Sequence, residues 1–454
     1  MPSILDFVPP VTSAGLSVDH VDKDWTNIFN MAFSVLENTG GGTLNIPAGN
    51  YQTGPWDLPS NLDLEIQERA FIQFIPDFTL YTPVYTRWEG VDCFAMHPLI
   101  LGRNKENITL RGAGVVDGGG KEWWDAYRAI RRSGRRQPNK PLEFEFAKLN
   151  PGYEHQASGG GGRELQFLRP PLLQFYSCEN ILVQGITLQN SPFWNTHPVY
   201  SNGLTFQGVT FRNPDNAPNT DGLDIDSCTN VLVEDCLFDV GDDCLAIKSG
   251  AGDEAIRINR PSSDITVRNC KMLAGHGGIV IGSETAGGIQ KVRVHGCHMY
   301  NTDRGIRIKT RRGRGGIIKG LIFESIQIEG CKCPVVINSF YRCGADEDNL
   351  ELFSLDSRPV TKETPVIKKV TIRDVRATGC RAQAGFIAGL PEAPVTELKI
   401  ENYAYSYAPE SELEPASEAA MYAGLPHRDD RGIRMEYVSQ PILEEVRELE
   451  DSCS

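Results

Sequence analysis

Four short segments of this chain repeat one pattern, in which one or two polar residues and a small residue precede an alternating aliphatic run. The segments are 220–226, 242–248, 276–282 and 303–309. Aligned on their aliphatic positions, they place these polar residues level: Asp221 with Asp243, Asp242 with His276, Asp224 with Arg307, and Lys248 with Lys309. Because the apolar positions persist while the polar ones change to acids, a histidine and cations, the pattern indicates a repeated scaffold that carries a site.

A second pattern, with aliphatic residues at alternate positions, precedes these segments and predicts the fold. Period-two alternation bounded by Gly, Asn and Asp is typical of short β-strands. Most successive copies start about 23 to 34 residues apart, without helical periodicity between them, and such a period indicates a solenoid. The copies begin at Ile108, Ile181, Leu204, Val231, Ile265, Val292, Leu321, Val370 and Leu398. Since three short strands with turns fit one coil, the sequence predicts an all-β fold, a right-handed parallel β-helix.

The repeat also predicts how the chain is organised, as a single β-helix domain over 1–454. An N-terminal helical cap is expected at about 15–40, because an open solenoid exposes strand edges. Coils are expected from about 41 to 405, with an insertion at about 118–168 that projects as a loop or lobe, and a polar C-terminal tail at 406–454. The cap helix is predicted from one apolar face, formed by Trp25, Ile28, Phe29, Ala32, Phe33 and Leu36.

Composition narrows the functional classes. A net charge of −14 argues against non-specific nucleic-acid binding. The sequence contains no run of about 18 apolar residues, so no membrane span is predicted. The first residues show no secretion signal, so the expected location is cytoplasmic as written, or extracellular or periplasmic if a signal has been removed. Cys236, Cys270 and Cys297 share a repeat position with Ile and Val, which predicts small core residues rather than disulfide partners. The sequence assigns no role to Cys331, Cys333 and Cys343.

The polar positions of the repeat indicate acid–base chemistry. Asp221, Asp242 and Asp243 fall on two adjacent coils, so at least one of these clustered carboxyls should hold a proton near neutral pH. A protonated and an ionised carboxyl flanking a bond are what glycoside hydrolysis requires. Calcium ligation and turn formation are alternatives that the spacing leaves open. His276, on the next coil, is a candidate to tune the protonation of the acid.

Two cations follow on a further coil. Arg307 and Lys309 are two residues apart on a predicted strand, so both side chains point to the same face. Such a pair suits a carboxylate on the substrate, because Arg offers a planar fork of donors and Lys a point charge.

At this point the residues resemble a known family. Asn219-Thr220-Asp221, Gly241-Asp242-Asp243, Gly275-His276-Gly277 and Arg307-Ile308-Lys309 are similar, in order and spacing, to the four signature motifs of the family-28 glycoside hydrolases, the polygalacturonase family. The resemblance extends from about Ala32 to Tyr403. It implies a right-handed parallel β-helix and a pectin-degrading hydrolase that cleaves α-1,4-linked galacturonic acid with inversion, without metal or other cofactor.

The resemblance also implies roles for individual residues. Asp242 is expected to be the general acid, Asp221 and Asp243 the bases that activate water, and His276 the residue that sustains the protonation of the acid. The expected substrate-binding residues are Arg307, Lys309, Asn219, Tyr341 and His197. The expected partner is a galacturonate-containing polysaccharide or oligosaccharide, with no nucleic acid or membrane, and the oligomeric state is not indicated.

The sequence also bears on the substrate and on whether cleavage is exo or endo. The intact Gly275-His276-Gly277 motif favours homogalacturonan, and segments 87–90 and 191–197, together with the insertion, resemble the exo-acting branch. An exo mode is therefore the expectation, with Trp194 either a platform for a sugar ring or a core residue. The alternatives are a hydrolase of rhamnogalacturonan or another pectin backbone, a calcium-dependent pectate lyase, and a non-catalytic carbohydrate-binding β-solenoid. The preferred chain length and decoration of the substrate are not indicated.

Overall fold

The computed structural model describes residues 2–7, 24–135, 137–155, 169–345, 349 and 351–449. In this part the chain winds as a right-handed parallel β-helix, as the repeat predicts. Two large parallel sheets, of 21 and 11 strands among the described residues, run along it. The strands of the larger sheet are Gly42–Ile46, Gly49–Thr53, Leu62–Ile66, Ala70–Phe74, Glu106–Gly112, Val115–Asp117, Glu179–Gln184, Thr187–Gln189, Asn202–Gln207, Thr210–Arg212, Thr229–Glu234, Leu237–Asp239, Ser262–Arg268, Lys271–Ala274, Ile289–His295, His298–Tyr300, Ile317–Glu329, Val366–Cys380, Val395–Tyr407, Val438–Ser439 and Ile442–Glu448.

The eleven-stranded sheet positions the candidate site. Its strands are Trp56–Asp57, Ile100–Arg103, Leu173–Tyr176, Thr196–Val199, Leu223–Asp226, Asp243–Lys248, Gly277–Gly282, Arg304–Lys309, Cys333–Asn338, Gly385–Ala388 and Ile433–Glu436. A separate antiparallel hairpin joins Pro83–Trp88 to Val91–Met96. Short helices lie at Ile4–Phe7, Phe78–Leu80, Gly252–Ile258, Glu410–Glu412 and Ala416–Ala419. No helix of the described part is long and apolar enough to cross a membrane.

Stacked aliphatic side chains hold the coils together. Leu223 pairs with Leu245 and Ile225 with Ile247 on the next coil, and all four are fully buried. Burying one such side chain contributes about 1.5 to 3 kcal/mol relative to exposure. Because apolar residues alternate with polar ones, the same strands present their polar residues on the outer face.

The predicted N-terminal cap contains a helix, Thr26–Thr39, with five of the six predicted face residues; the sixth, Trp25, immediately precedes it, and all six are buried. Phe29 packs on the first coil, with its ring centroid 4.4 Å from that of Trp56. The helix ends at Gly40, whose φ of 85° is left-handed and therefore suits glycine. Residues 15–23 of the predicted cap lie outside the described residues.

The insertion contains two helices, Lys121–Ser133 and Pro141–Leu149, and a short turn at Tyr153–His155. Trp123 anchors the first helix, because its ring stacks on Phe78 with centroids 4.0 Å apart. A projecting loop or lobe is expected here, and the described part is a helical lobe packed on the coils. Residues 156–168 of the predicted insertion lie outside the described residues.

The predicted boundary of the coils at 405 is wrong. Ile433–Glu436 pairs with Gly385–Ala388, and Ile442–Glu448 pairs with Val395–Tyr407, so another coil follows within the predicted tail. Among the described residues, this last coil has a neighbouring coil on one side alone, and Ile442 and Leu443 are exposed. A coil with one neighbour needs fewer apolar residues, and its longer strand, Ile442–Glu448, lacks the alternation that identifies the others. Residues 450–454 are not described.

Candidate active site

The four repeated segments form four neighbouring strands, and their predicted alignment is confirmed. The aliphatic positions pair from strand to strand, through Leu223, Leu245, Ile279 and Ile306. Asp224 is thereby level with Arg307, and Lys248 with Lys309. Asp224, Lys248, Arg307 and Lys309 therefore lie on the outer face of one sheet. Asp221 and Asp242 precede their strands, and Asp243 begins one.

Three carboxyl groups meet at the beginning of these strands. One oxygen each of Asp221, Asp242 and Asp243 lies within 4.8 Å of the others. Asp221 and Asp243 are buried, whereas the Asp242 side chain is 20% exposed. Asp242 is therefore the most accessible of the three acids.

Asp243 is bound by both predicted cations. Arg307 Nη1 donates to Asp243 Oδ1 at 3.0 Å, and Lys309 Nζ donates to Asp243 Oδ2 at 2.6 Å. Burial raises the pKa of Asp243, but the charges of Lys309 and Arg307 outweigh it and hold that pKa well below its usual range. Asp243 is thus ionised at neutral pH and offsets one of the two positive charges of the cation pair.

A glycine lets this cluster form across an intervening strand. Gly277 begins the strand between those of Asp243 and Arg307. A Cβ at Gly277 would lie 3.1 Å from Asp243 Oδ1 and 3.3 Å from Arg307 Cδ. A side chain there would crowd the ion pair, which explains the small residue in this motif.

His276 and Asp242 form the exposed half of the site. His276 Nδ1 lies 3.1 Å from Asp242 Oδ1, and the His276 side chain is 53% exposed. The charge of Asp242 raises the pKa of His276. Burial raises the pKa of Asp242, but the charge and hydrogen bond of His276 outweigh it, so that the pKa of Asp242 is lowered.

Asp221 has the opposite shift. Burial raises its pKa well above the usual value, and the charges of Asp224 and Asp242 add to the rise. Asp224, fully buried behind it, also has its pKa raised well above the usual value by burial. The pKa values of these neighbouring acids are therefore shifted in opposite directions, a pattern that separates acid from base roles in catalytic carboxyl pairs.

A cavity of about 190 Å³ is lined by Asp221, Asp242, His276 and the cation pair, whereas Asp243 and Asp224 are not among its lining residues. It is smaller than the roughly 300 to 1,000 Å³ of pockets for drug-sized ligands, so it suits a single small unit such as one sugar. Its lining residues are Glu89, Trp194, Asn219, Asp221, Asp242, Lys248, His276, Ser283, Glu284, Arg307, Lys309, Tyr341, Cys343 and Met421. The sequence analysis assigned no site role to Glu89, Lys248, Glu284 and Met421, although the alignment of Lys248 with Lys309 was a signal for that lysine.

The remaining predicted site residues divide between the cavity and the core. Tyr341 lines the cavity beside the cations, its ring centroid 5.3 Å from Lys309 Nζ. Asn219 is half-buried and also lines it. The side chain of His197 is not among the cavity-lining groups: it is 2% exposed and lies 3.1 Å from Gln174 Nε2 and 3.5 Å from Asp226 Oδ2. Its ring supports Trp194 edge-on, with centroids 4.9 Å apart.

Trp194 lines the cavity, but it is packed like a core residue. It is 5% exposed, stacks on Phe193, and has Lys248 Nζ 4.4 Å from its ring centroid. Lys248 also lies 3.0 Å from Glu284 Oε2 and 3.4 Å from Asp224 Oδ1. Because both neighbours crowd the indole, Trp194 borders the cavity as part of a packed wall rather than as an open platform.

On the coils that follow Arg307, residues 416–425 cover the outer face of the sheet. We call this segment the strap. Tyr422 stacks on Phe386 with centroids 5.0 Å apart, and Asn338 Nδ2 donates to the Met421 carbonyl at 3.0 Å. Met421 Sδ lies 3.5 Å from Arg307 Nη2. The strap therefore closes the cavity on the side of the later coils.

On the side of the earlier coils, the hairpin of Pro83–Trp88 and Val91–Met96 forms a second wall. Arg87 Nη1 donates to Asp226 Oδ1 at 2.7 Å, and the Gly90 carbonyl accepts from the Ala251 amide at 2.7 Å. A Cβ at Gly90 would lie 2.7 Å from Glu284 Cγ, so the hairpin tip packs tightly against the cavity wall.

The acid cluster also has the donor chemistry of a cation site, because carboxylate oxygens are the usual ligands of calcium. Both Asp243 oxygens, however, already accept hydrogen bonds from Lys309 and Arg307. A divalent ion would have to displace those cations or bind through Asp221 and Asp242 alone, so the residues fit a metal poorly.

Comparison with known proteins identifies the family. The model of Glycosyl hydrolases family 28 matches residues 152–417. A probable polygalacturonase from Vitis vinifera is 30% identical over 400 residues, covering 86% of this chain and 72% of that protein. An endo-polygalacturonase from Pectobacterium carotovorum subsp. carotovorum is 25% identical over 350 residues, covering 72% of this chain and 76% of that protein. The crystal structure of a hyperthermoactive exopolygalacturonase from Thermotoga maritima aligns with a TM-score of 0.73 and 30% identity, over 97% of this chain and 91% of that one. With its β-helix, its four motifs in one cavity and these matches, the chain belongs to glycosyl hydrolase family 28.

Proposed function

We propose that this protein is an exo-polygalacturonase, which hydrolyses the α-1,4-galacturonosidic bond at the end of polygalacturonate or oligogalacturonide chains with inversion. The observation that carries the proposal is a one-sugar cavity, walled by the strap and the hairpin, in which Asp242 lies beside His276 and near Arg307 and Lys309. The names of the relatives support the galacturonan substrate, and the Thermotoga structure supports the exo mode.

The two walls favour an exo over an endo mode. An endo enzyme needs a groove that continues past the cleavage point on both sides. Here Met421 of the strap stands beside Arg307, and Glu89 of the hairpin lines the other side. A long chain can therefore place its terminal unit between the walls more easily than an internal one.

In the proposed reaction, Asp242 donates a proton to the leaving oxygen, and Asp221 activates the attacking water. The protein's own groups raise the pKa of Asp221 and lower that of Asp242, which is the opposite of the order that these roles require. Such a pair titrates as a unit. A galacturonate carboxylate bound beside Asp242 adds negative charge, which raises the pKa of Asp242 and moves the proton to the acid.

Asp243 contributes differently from Asp221. Since both of its oxygens accept from the cation pair, we assign it to holding Arg307 and Lys309 in place. The second donor nitrogen of Arg307, beside Met421, remains to bind the substrate carboxylate. Tyr341 packs under both cations and keeps their positive charges close together.

Chromatography of the earliest products from polygalacturonate tests the proposal. Monomer as the sole early product is expected from an exo enzyme that removes single units, whereas a ladder of oligomers would contradict the exo mode. Chelator should leave the rate unchanged; loss of activity, with unsaturated products, would instead identify the calcium-dependent lyase. Proton NMR of the fresh product gives the anomer, and β-galacturonate at the new reducing end is expected for inversion.

A further inference from the structure

Arg169, a residue outside the four motifs, holds the turn that carries Asn219. Its Nη1 donates to the Pro218 carbonyl at 2.7 Å, and its Nη2 donates to Asn219 Oδ1 at 2.8 Å. Arg169 is 2% exposed. One guanidinium therefore binds a backbone group and a side chain of two consecutive residues, immediately before Thr220 and Asp221.

This contact decides how the Asn219 amide is oriented. An arginine carries donors and no acceptor, so the Asn219 atom that faces it must be the oxygen. The NH₂ of Asn219 is consequently turned away from Arg169, and Asn219 lines the cavity. Its backbone φ of 55° lies in the left-handed region that Asn tolerates. The arrangement leaves two N–H donors for a hydroxyl, ring oxygen or carboxylate of a sugar acid.

Arg169 is itself held by the insertion. Its guanidinium lies 3.8 Å from the ring centroid of Tyr127, on the helix Lys121–Ser133, and 4.9 Å from that of Phe193. One residue further, Arg128 Nη2 donates to the Asn216 carbonyl at 2.6 Å. Burial lowers the pKa of Arg169 to about 10, so it is still charged at neutral pH. The insertion helix thus packs against the turn that leads into the first motif.

We infer that Arg169 is a positioning residue of this enzyme: it fixes the Asn219 amide so that its nitrogen faces the substrate, and Tyr127 fixes Arg169. The insertion accordingly does more than project from the coils, because it supports a substrate contact from behind. The inference rests on the proposed function, in that the ligand of Asn219 is taken to be a galacturonate unit.

A double-mutant cycle on kcat/KM for polygalacturonate tests the coupling. Arg169→Met keeps a long apolar side chain but removes the guanidinium group. Asn219→Gly removes the side-chain amide, and glycine tolerates the positive φ at this position. Each single change is expected to lower kcat/KM by about tenfold to a hundredfold, the effect of a misplaced substrate contact. The double variant should be no slower than the slower single variant. If the loss of kcat/KM in the double variant equals the product of the two single losses, the inference is overturned, because Arg169 then acts independently of Asn219.

Milder variants keep the test decisive if Arg169→Met does not fold. Tyr127→Leu removes an aromatic face from Arg169 without touching Asn219, and is expected to lower kcat/KM several-fold in the wild type but not in the Asn219→Gly background. Arg128→Met is the matched control, because Arg128 contacts the same turn at Asn216 but not Asn219, and it should stay within about twofold of the wild type. An equal loss in Arg128→Met would show that detachment of the helix, not the Asn219 amide, is responsible.

A crystal structure of Tyr127→Leu or Arg169→Met gives a readout that does not depend on activity. The inference expects the Asn219 amide to rotate or the turn at 218–219 to shift, with the rest of the sheet unchanged. An unmoved Asn219 would overturn it. If the wild type fails to cleave polygalacturonate, the proposed function fails, whereas the crystal structure still decides whether Arg169 positions Asn219.

Discussion

Lys309 donates a hydrogen bond to Asp243 across an intervening strand, with Nζ and Oδ2 2.6 Å apart. The strand between them begins with Gly277, where a side chain would crowd the contact. Arg307 takes the other oxygen of the same carboxylate. Two residues that the sequence analysis assigned to binding a substrate carboxylate thus already bind a carboxylate of the protein.

This pairing predicts that Asp243→Asn lowers stability as well as activity. The substitution leaves Arg307 and Lys309 buried beside a neutral amide, and breaking a buried ion pair in this way costs about 3 to 5 kcal/mol. The pKa of Asp243 is depressed in the fold, so its stabilisation is present at neutral pH and is lost as the pH falls below its unfolded value of about 3.9. Urea unfolding at neutral pH measures the change. Exposed Asp235→Asn is the control, and an equal midpoint for both variants would contradict the prediction.

Asp221→Asn is expected to raise stability while abolishing activity. The pKa of Asp221 is raised in the fold, so ionisation of this acid opposes folding at any pH above its unfolded pKa. An amide removes that penalty, which is worth about 1.4 kcal/mol for each unit of pKa shift. Thermal unfolding at neutral pH should show a higher midpoint than the wild type, and the rate on polygalacturonate should fall by at least about a hundredfold. A lower midpoint would contradict the burial argument.

Asp242→Asn separates catalysis from folding. The Asp242 carboxyl contacts His276 and accepts a hydrogen bond from the Asp243 amide, and among the described residues it forms no ion pair with Arg307 or Lys309. A loss of at least about a hundredfold in kcat is expected, because a general acid contributes about that much. The unfolding midpoint and the binding of oligogalacturonide should change little. Unchanged activity would contradict the assignment of this cavity as the active site.

His276→Gln is expected to move the alkaline limb of the pH–rate profile to lower pH. The pKa of His276 is raised by Asp242, so the pair keeps its proton to a pH above the ordinary histidine value of about 6.5. Without the imidazole the proton is held by carboxyl groups alone. The midpoint of the alkaline limb should therefore move to lower pH by at least about one unit. Measurements of kcat/KM from about pH 4 to about pH 9 test this. A limb that stays in place would show that His276 does not sustain the protonation of the acid.

Met421→Ala tests the strap as a wall of the cavity. The change removes the thioether beside Arg307 Nη2 and widens the cavity by roughly three methylene-sized groups, without touching the acids. We expect dimers beside monomers among the earliest products, together with a several-fold change in KM. Met421→Leu, which keeps the volume, should retain the monomer pattern. Identical product patterns for Ala and Leu would show that the strap does not set the product length.

Apart from residues that the family resemblance supplied, such as Asn219 and Tyr341, the sequence alone predicted the repeat, the register and five of the fourteen residues that line the cavity. These could be predicted because a β-helix places equivalent positions of successive coils about 4.8 Å apart, so an alignment of the coils is a map of neighbours. The alignment of Asp221 with Asp243 and of Lys248 with Lys309 therefore carried over directly into the structure.

Contacts across unrelated segments could not be read from the repeat. The strap contact of Arg307 with Met421 joins residues 114 positions apart, the hairpin contact of Arg87 with Asp226 joins residues 139 apart, and the contact of Arg169 with Asn219 joins residues 50 apart. No period relates these separations. The repeat does place His197 level with Gln174 on the neighbouring strand, but it does not show that the His197 side chain is buried. The last coil was missed because an edge strand needs few apolar residues. The local repeat thus determined where the acids and cations lie. Tertiary packing decided which of them form ion pairs, which remain exposed and how far the cavity extends. These three properties depend on contacts between side chains from distant parts of the chain.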